Sequence, residues 1–144
     1  MSLSDKLKSF LMQKETDNLK AGETFLTENG KKESVVTLPS GLQYEIITLG
    51  TGEKPTAYHT VTCHYHGTTI NGEVFDSSVK RGQPASFPLN AVIKGWTEAL
   101  QLMPVGSKWK LFIPPQLAYG SRNISREIGP NSTLIFEVEL LSFK

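Results

Sequence analysis

A chain of 144 residues is long enough for one domain with a hydrophobic core plus an appendage and too short for two ordinary domains. With 15 Lys and Arg against 14 Asp and Glu, its net charge of +1 supplies no large field toward nucleic acid or an anionic membrane, so partners must be selected by shape. Cys63 is the single cysteine, which excludes an internal disulfide and a cysteine-based zinc cluster and leaves the compartment open.

The first segment carries Leu3, Leu7, Phe10, Leu11, Leu19, Phe25 and Leu26 near helical spacing, with Ser4 as N-cap and Asn29-Gly30 as a stop. The pattern predicts one helix from about Ser4 to Glu28, close to 40 Å long at about 1.5 Å per residue. Lys14, Glu15 and Asp17 interrupt the apolar stripe. Two readings therefore stand side by side: a helix packed on its own domain, and a partner-binding helix. There is no run of about 18 apolar residues, and the N-terminus lacks the charged start and unbroken apolar stretch of a signal peptide.

Lys31-Lys32-Glu33 forms a polar joint, after which the apolar period changes from helical spacing to the two-residue period of strands. The division this predicts is a helical segment over 1–33 and a second unit over 34–144. Leu42, Tyr44, Ile46 and Ile47 suggest a strand, followed by a Gly- and Pro-containing loop from Gly50. Val61, Cys63 and Tyr65 alternate with Thr62, His64 and His66, and this run meets Val74-Phe75 across Asn71-Gly72 as a hairpin. From Asn90, the residues Val92, Ile93, Trp96, Ala99, Leu100 and Met103 fit one helical face closed by Pro104 and Gly106, the only helix expected in the second unit. Strands containing Trp109, Leu111 and Ile113, and later Leu134, Phe136, Val138 and Leu140, complete an α+β arrangement: an antiparallel sheet wrapped around one short helix, with an N-terminal helix in front.

Chemistry that breaks a strong covalent bond needs an activated nucleophile, an acid-base pair or a metal. His64 and His66 share a strand face, but no third ligand stands at suitable spacing, so they are read as polar residues on the solvent side and no metal is expected. Cys63 points with Val61 and Tyr65 and is expected to be a buried, inert thiol. What remains is a set of aromatics near loops and strand ends, namely Tyr65, Phe75, Phe87, Trp96, Tyr119 and Phe136. Each alone is ordinary core material.

Six stretches in order give the set its meaning: His64-Tyr65-His66-Gly67, Gly72 to Ser78, Val92-Ile93-Lys94-Gly95-Trp96, Met103 to Lys108, Ile113 to Gly120, and Thr133 to Leu141. Over about Leu38 to Phe143 they closely resemble the FKBP family of peptidyl-prolyl cis-trans isomerases. Asn18 to Leu26 and Thr37 to Tyr44 resemble the bacterial Mip-like branch, in which the isomerase domain follows a helix leading from a dimerisation region. That branch implies a longer envelope protein, located in the periplasm or at the outer membrane, with a homodimer through the N-terminal helix as one arrangement.

The resemblance implies a pocket of Tyr65, Phe75, Asp76, Val92, Ile93, Trp96, Tyr119 and Phe136, with Trp96 as floor and with Phe87 and Ile128 as further walls. Asp76, Tyr119 and Tyr65 are the residues expected to act on the amide, and Phe75, Phe87, Val92, Ile93, Trp96, Ile128 and Phe136 those expected to bind substrate. The loop Ser121 to Asn131 departs most from the family, since Gly129 stands where many members carry proline. The implied partners are X-Pro-containing polypeptides and rapamycin-like macrolide inhibitors, with no cofactor, no nucleic acid and no membrane span. Two alternatives remain: a non-enzymatic module that grips proline peptides or unfolded chains in the same pocket, and a chain whose helical segment is its main working surface.

Overall fold

Ser2 starts the first helix, two residues ahead of the expected Ser4, because its hydroxyl accepts the Asp5 amide at 3.1 Å. In the computed structural model, which describes residues 2–144, this helix α1 runs unbroken over Leu3–Asn29. It ends as the Gly30 amide donates back to the Leu26 carbonyl at 2.9 Å, with Gly30 still right-handed. Its two halves differ. The front half leaves Leu3, Phe10 and Met12 more than half exposed. The rear half is seated on the sheet, where Phe25 packs on Phe112 at 6.0 Å between ring centroids. There Asn29 Nδ2 also donates to Gln43 Oε1 at 2.8 Å, and Gln43 Nε2 to the Leu26 carbonyl at 2.8 Å. Packing on its own domain thus describes the helix from about residue 14 onward and not the stretch ahead of it.

Seven antiparallel strands follow: β1 Val35–Thr37, β2 Gln43–Thr48, β3 Thr60–Thr69, β4 Val74–Ser77, β5 Ala85–Pro88, β6 Lys108–Ile113 and β7 Leu134–Phe143. Their order in space is β1-β2-β6-β7-β3-β4, with β5 pairing the first part of β3. In β3 every second residue is buried, so Val61, Cys63 and Tyr65 face the core while Thr62, His64 and His66 face away. Leu134, Phe136, Val138 and Leu140 of β7 do the same, and α3, Lys94–Leu100, lays Trp96, Ala99 and Leu100 onto that face. Removing each such large apolar side chain from water stabilises the fold by roughly 1.5–3 kcal/mol. This is the antiparallel sheet around a short helix that the patterning implies.

The structure corrects the reading at three places. The helix expected from Asn90 is shorter: Leu89–Ala91 form a 3-10 turn, Val92 and Ile93 are extended (ψ 176° and 149°), and only then does α3 begin. β-branched side chains favour such a break, and Val92, Ile93 and Trp96 still face one cavity, so two different backbones produce one apolar spacing. Nor is α3 the only helix in this unit. Ser78–Arg81 form a one-turn helix α2, with the Ser77 hydroxyl accepting the Lys80 amide at its start and left-handed Gly82 (φ 74°) at its end. Strands β1 and β5 were absent from the reading because neither carries a full apolar alternation.

Candidate active site

A concavity of about 510 Å³ opens where β3, β4, β5, β7 and α3 meet. All ten residues expected at a pocket line it: Tyr65, Phe75, Asp76, Phe87, Val92, Ile93, Trp96, Tyr119, Ile128 and Phe136. Trp96 is the hub of its floor. Its ring meets Tyr65 (5.4 Å, 79°), Phe87 (5.7 Å, 87°) and Phe136 (5.4 Å, 86°) edge to face, and Phe75 meets Phe136 likewise at 5.4 Å and 88°. Edge-to-face contacts are the favoured geometry between ring quadrupoles and hold each plane in one orientation. The close approach depends on Gly67, because a Cβ there would lie 2.6 Å from the Phe75 ring and 2.8 Å from that of Phe136. The glycine of His64-Tyr65-His66-Gly67 is therefore required by the rings that cross it.

One end of the cavity is polar. The Tyr65 hydroxyl donates to Asp76 Oδ2 at 2.7 Å, and Arg81 donates to the Tyr65 hydroxyl at 2.9 Å and, from its other nitrogen, to Asp76 Oδ1. The guanidinium also lies 5.6 Å from the Tyr65 ring centroid. Burial pushes the Asp76 carboxyl up, but hydrogen bonds from Tyr65 and Arg81, together with the guanidinium charge, outweigh it and hold the group below its ordinary range. Burial is the first cause raising the Tyr65 phenol, and the Asp76 charge adds to it. Asp76 thus stays an anion and Tyr65 a neutral donor near neutrality, an arrangement built to orient and not to exchange protons.

The remaining boundary comes from irregular backbone. Ile93 sits ahead of α3, its carbonyl accepting the Trp96 amide at 3.0 Å, while its own N–H precedes the first intrahelical acceptor. Tyr119 follows a 3-10 turn over Pro115–Leu117. Ile128 is buried at the outer wall, which the loop 121–131 supplies.

Arg81, Ala91, Ile124, Ser125 and Glu127 also belong to the site or its rim and were absent from the sequence reading. Arg81 had a signal: Ser77 and Gly82 bracket one helical turn, which brings residue 81 back over Asp76. The wall residues had none, since they lie in no periodic element. His64 and His66 bond through Nδ1 to the Ser78 and Ser77 hydroxyls at 3.0 and 2.9 Å and are half-buried, less open than expected. No cluster of three His, Cys, Asp or Glu side chains able to hold a metal occurs among the described residues. Cys63 is fully buried, and burial pushes its thiol up to about 12.

Comparison with known proteins places these features in a lineage. Residues 51–141 match the family described as FKBP-type peptidyl-prolyl cis-trans isomerase, and residues 1–46 match the domain amino-terminal to it. Outer membrane protein MIP of Legionella longbeachae is 54% identical over 132 residues, covering 92% of this chain and 57% of that protein. The peptidyl-prolyl cis-trans isomerase Mip of Coxiella burnetii is 53% identical over 127 residues, covering 88% and 55%. The crystal structure of FkpA from Escherichia coli superposes with a TM-score of 0.93 at 42% identity, covering 98% of this chain and 66% of that one. The chain spans about half the length of the relatives it matches in sequence.

Proposed function

Because the chain belongs to the FKBP-type peptidyl-prolyl cis-trans isomerase family, we propose that it accelerates rotation about X-Pro bonds in polypeptides by binding the twisted amide in this cavity. The observation that carries the reading is the five-ring floor beside an Asp76 held anionic near neutrality. A planar X-Pro amide resists rotation with a barrier of about 18–20 kcal/mol, because resonance gives its C–N bond partial double character. Twisting removes the resonance and with it part of the carbonyl's charge separation. An aromatic cavity solvates the twisted form better, relative to the planar one, than water does. No bond is broken, so the reading needs neither a nucleophile nor a metal.

In this reading Trp96, Phe136, Phe75 and Phe87 hold the pyrrolidine ring, and Val92, Ile93 and Ile128 enclose it. The Ile93 N–H and the Tyr119 hydroxyl donate to substrate carbonyls. Asp76 and Arg81 hold Tyr65 in place, and Asp76 polarises the twisting amide. Rapamycin-like macrolides compete for the same floor. Acceleration of a proline-limited refolding step, inhibited by such a macrolide, is the expected result. Peptide binding without acceleration would instead make the chain a non-enzymatic module. If Asp76→Ala and Tyr119→Phe both left the rate unchanged, the polar roles would be removed.

The division between 1–33 and 34–144 belongs to the same proposal, with the isomerase in the second part. Leu3, Leu7 and Phe10, at 84%, 59% and 64% exposure, support pairing of the front of α1 with a second copy. A chain that is monomeric in solution both with and without residues 1–33 would overturn that pairing. We propose a bacterial-envelope location, which the similarity to the outer membrane protein MIP of Legionella longbeachae supports. No helix among the described residues is long and apolar enough to cross a membrane.

A further inference from the structure

We propose that helix α1 sets the shape of the cavity's outer wall, with Asn18 as the positioning residue, so that a segment ahead of the isomerase unit helps decide which X-Pro sequences are preferred. The proposal rests on the isomerase reading above and extends it to specificity.

The loop 121–131 is fastened at its tip and at its base, where the Arg122 amide donates to the Tyr119 carbonyl at 3.2 Å and the Ser132 hydroxyl to the Gly129 carbonyl at 2.8 Å. At its tip the Ile124 and Ser125 amides donate to the Ile128 carbonyl at 3.0 and 3.1 Å, and the Ile128 amide donates to Ser125 Oγ at 3.1 Å. At its base the Asn131 amide donates to the Gly120 carbonyl at 2.8 Å. Residues 121–126 are exposed, so no packing holds the stretch between tip and base. A loop fastened in this way keeps its internal shape but can swing about its base, carrying Ile128 and Glu127 with it.

Helix α1 supplies the further holds. Asn18 Nδ2 donates to the Pro130 carbonyl at 2.8 Å, the one backbone hydrogen-bonding group a proline has. Asn131 Nδ2 donates to Glu15 Oε1 at 3.3 Å, which steadies a non-glycine residue in the left-handed region (φ 56°). Gly129 is buried under the helix: a Cβ there would lie 2.9 Å from Lys14 Cε and 3.1 Å from Asn18 Nδ2. Absence of a side chain at 129 is what lets the helix reach the loop backbone. Pro130 lies two residues from Ile128, which is 4% exposed against the cavity, so movement at the grip reaches the wall directly. Lys14 and Glu15, two of the three residues that interrupt the apolar stripe of α1, lie with Asn18 at this contact, which accounts for their polarity.

The test uses the full chain with Asn18→Ala, Asn18→Asp and Asn18→Gln. KM and kcat are measured on peptides Xaa-Pro with Leu, Phe, Lys or Glu before the proline, and hydrogen exchange is followed at the loop amides. Asn18→Ala, and Asn18→Asp with its donor replaced by an acceptor, are expected to shift the ratio between best and worst peptide about three- to fivefold, through KM more than kcat. Exchange at Ile124, Ser125 and Ile128 should rise about tenfold while the β7 amides stay protected. Asn18→Gln, which retains the donor, should move both readouts back toward the parent chain. A folded Asn18→Ala chain with an unchanged peptide ratio overturns the proposal, whatever the exchange shows, and so does unchanged loop exchange. If the parent chain isomerises no peptide, the isomerase reading fails by itself, and the exchange arm still decides whether α1 holds the loop.

Discussion

Five rings on four strands and one helix make the floor of the cavity, whereas one irregular loop makes its outer wall. The floor is held by apolar packing: Trp96 is buried and touched edge to face by three other rings, and Gly67 gives the room. The wall is held by hydrogen bonds, two of them shared with a helix outside the sheet, one donated by Asn18 and one accepted by Glu15. Packing over many contacts resists small changes and fixes one geometry. A few polar contacts at the edge can be exchanged without disturbing the core. In the proposed reading the floor serves the common chemistry of every X-Pro bond, and the wall the differences among them.

The largest effect is expected from breaking the floor. Trp96→Ala should cost about 3–5 kcal/mol in denaturant unfolding, because three rings lose their common partner, and peptide isomerisation should fall to background. Loosening the wall's support should cost less. In Gly22→Ala the new methyl would lie 2.3 Å from Thr133 Oγ1 and 3.2 Å from its Cβ, so Thr133 must turn or α1 shift outward. About 1–3 kcal/mol of stability should be lost in thermal unfolding, with the loop more open to proteolysis. Asp76→Ala acts where floor and rim meet: Tyr65 loses its acceptor and Arg81 its ion-pair partner. The isomerisation rate should fall about three- to tenfold without vanishing.

The smallest expected effect is on pH dependence. The folded pKa of Asp76 is depressed, so its contribution to stability is fully present above the unfolded value of about 3.9 and is lost as pH falls through the lower folded value. Asp76→Asn should therefore flatten the acid limb of stability below about pH 4 and leave the curve from pH 5 to 8 unchanged. A change confined to neutral pH would mean that another group is titrating.

The same contrast decides how much was legible in the sequence. Strands β3, β6 and β7 announce themselves by alternation, and the floor residues sit in ordered motifs, so fold and floor could be read directly. Phe87 lies in β5, where Ser86 and Pro88 dilute the pattern, and that strand exists through its pairing with β3. Arg81 reaches Asp76 only through a one-turn helix too short for any period. The seat of α1 on the loop is polar, with Lys14, Glu15 and Asn18 half-buried and Asn18 hydrogen-bonded, whereas hydrophobic spacing finds apolar seats alone. Val92 and Ile93 fitted the helical spacing while being extended, because spacing records direction and not backbone.

The central claim is that the apolar floor, and not proton transfer, carries the rate. Its most direct test is the isomerisation rate of one X-Pro peptide from pH 5 to 8 for the parent chain and for folded Asp76→Ala. The account predicts a level profile for both, with the variant slower but active. A folded Asp76→Ala chain with no acceleration at any pH, beside a parent profile that titrates within that range, would contradict it.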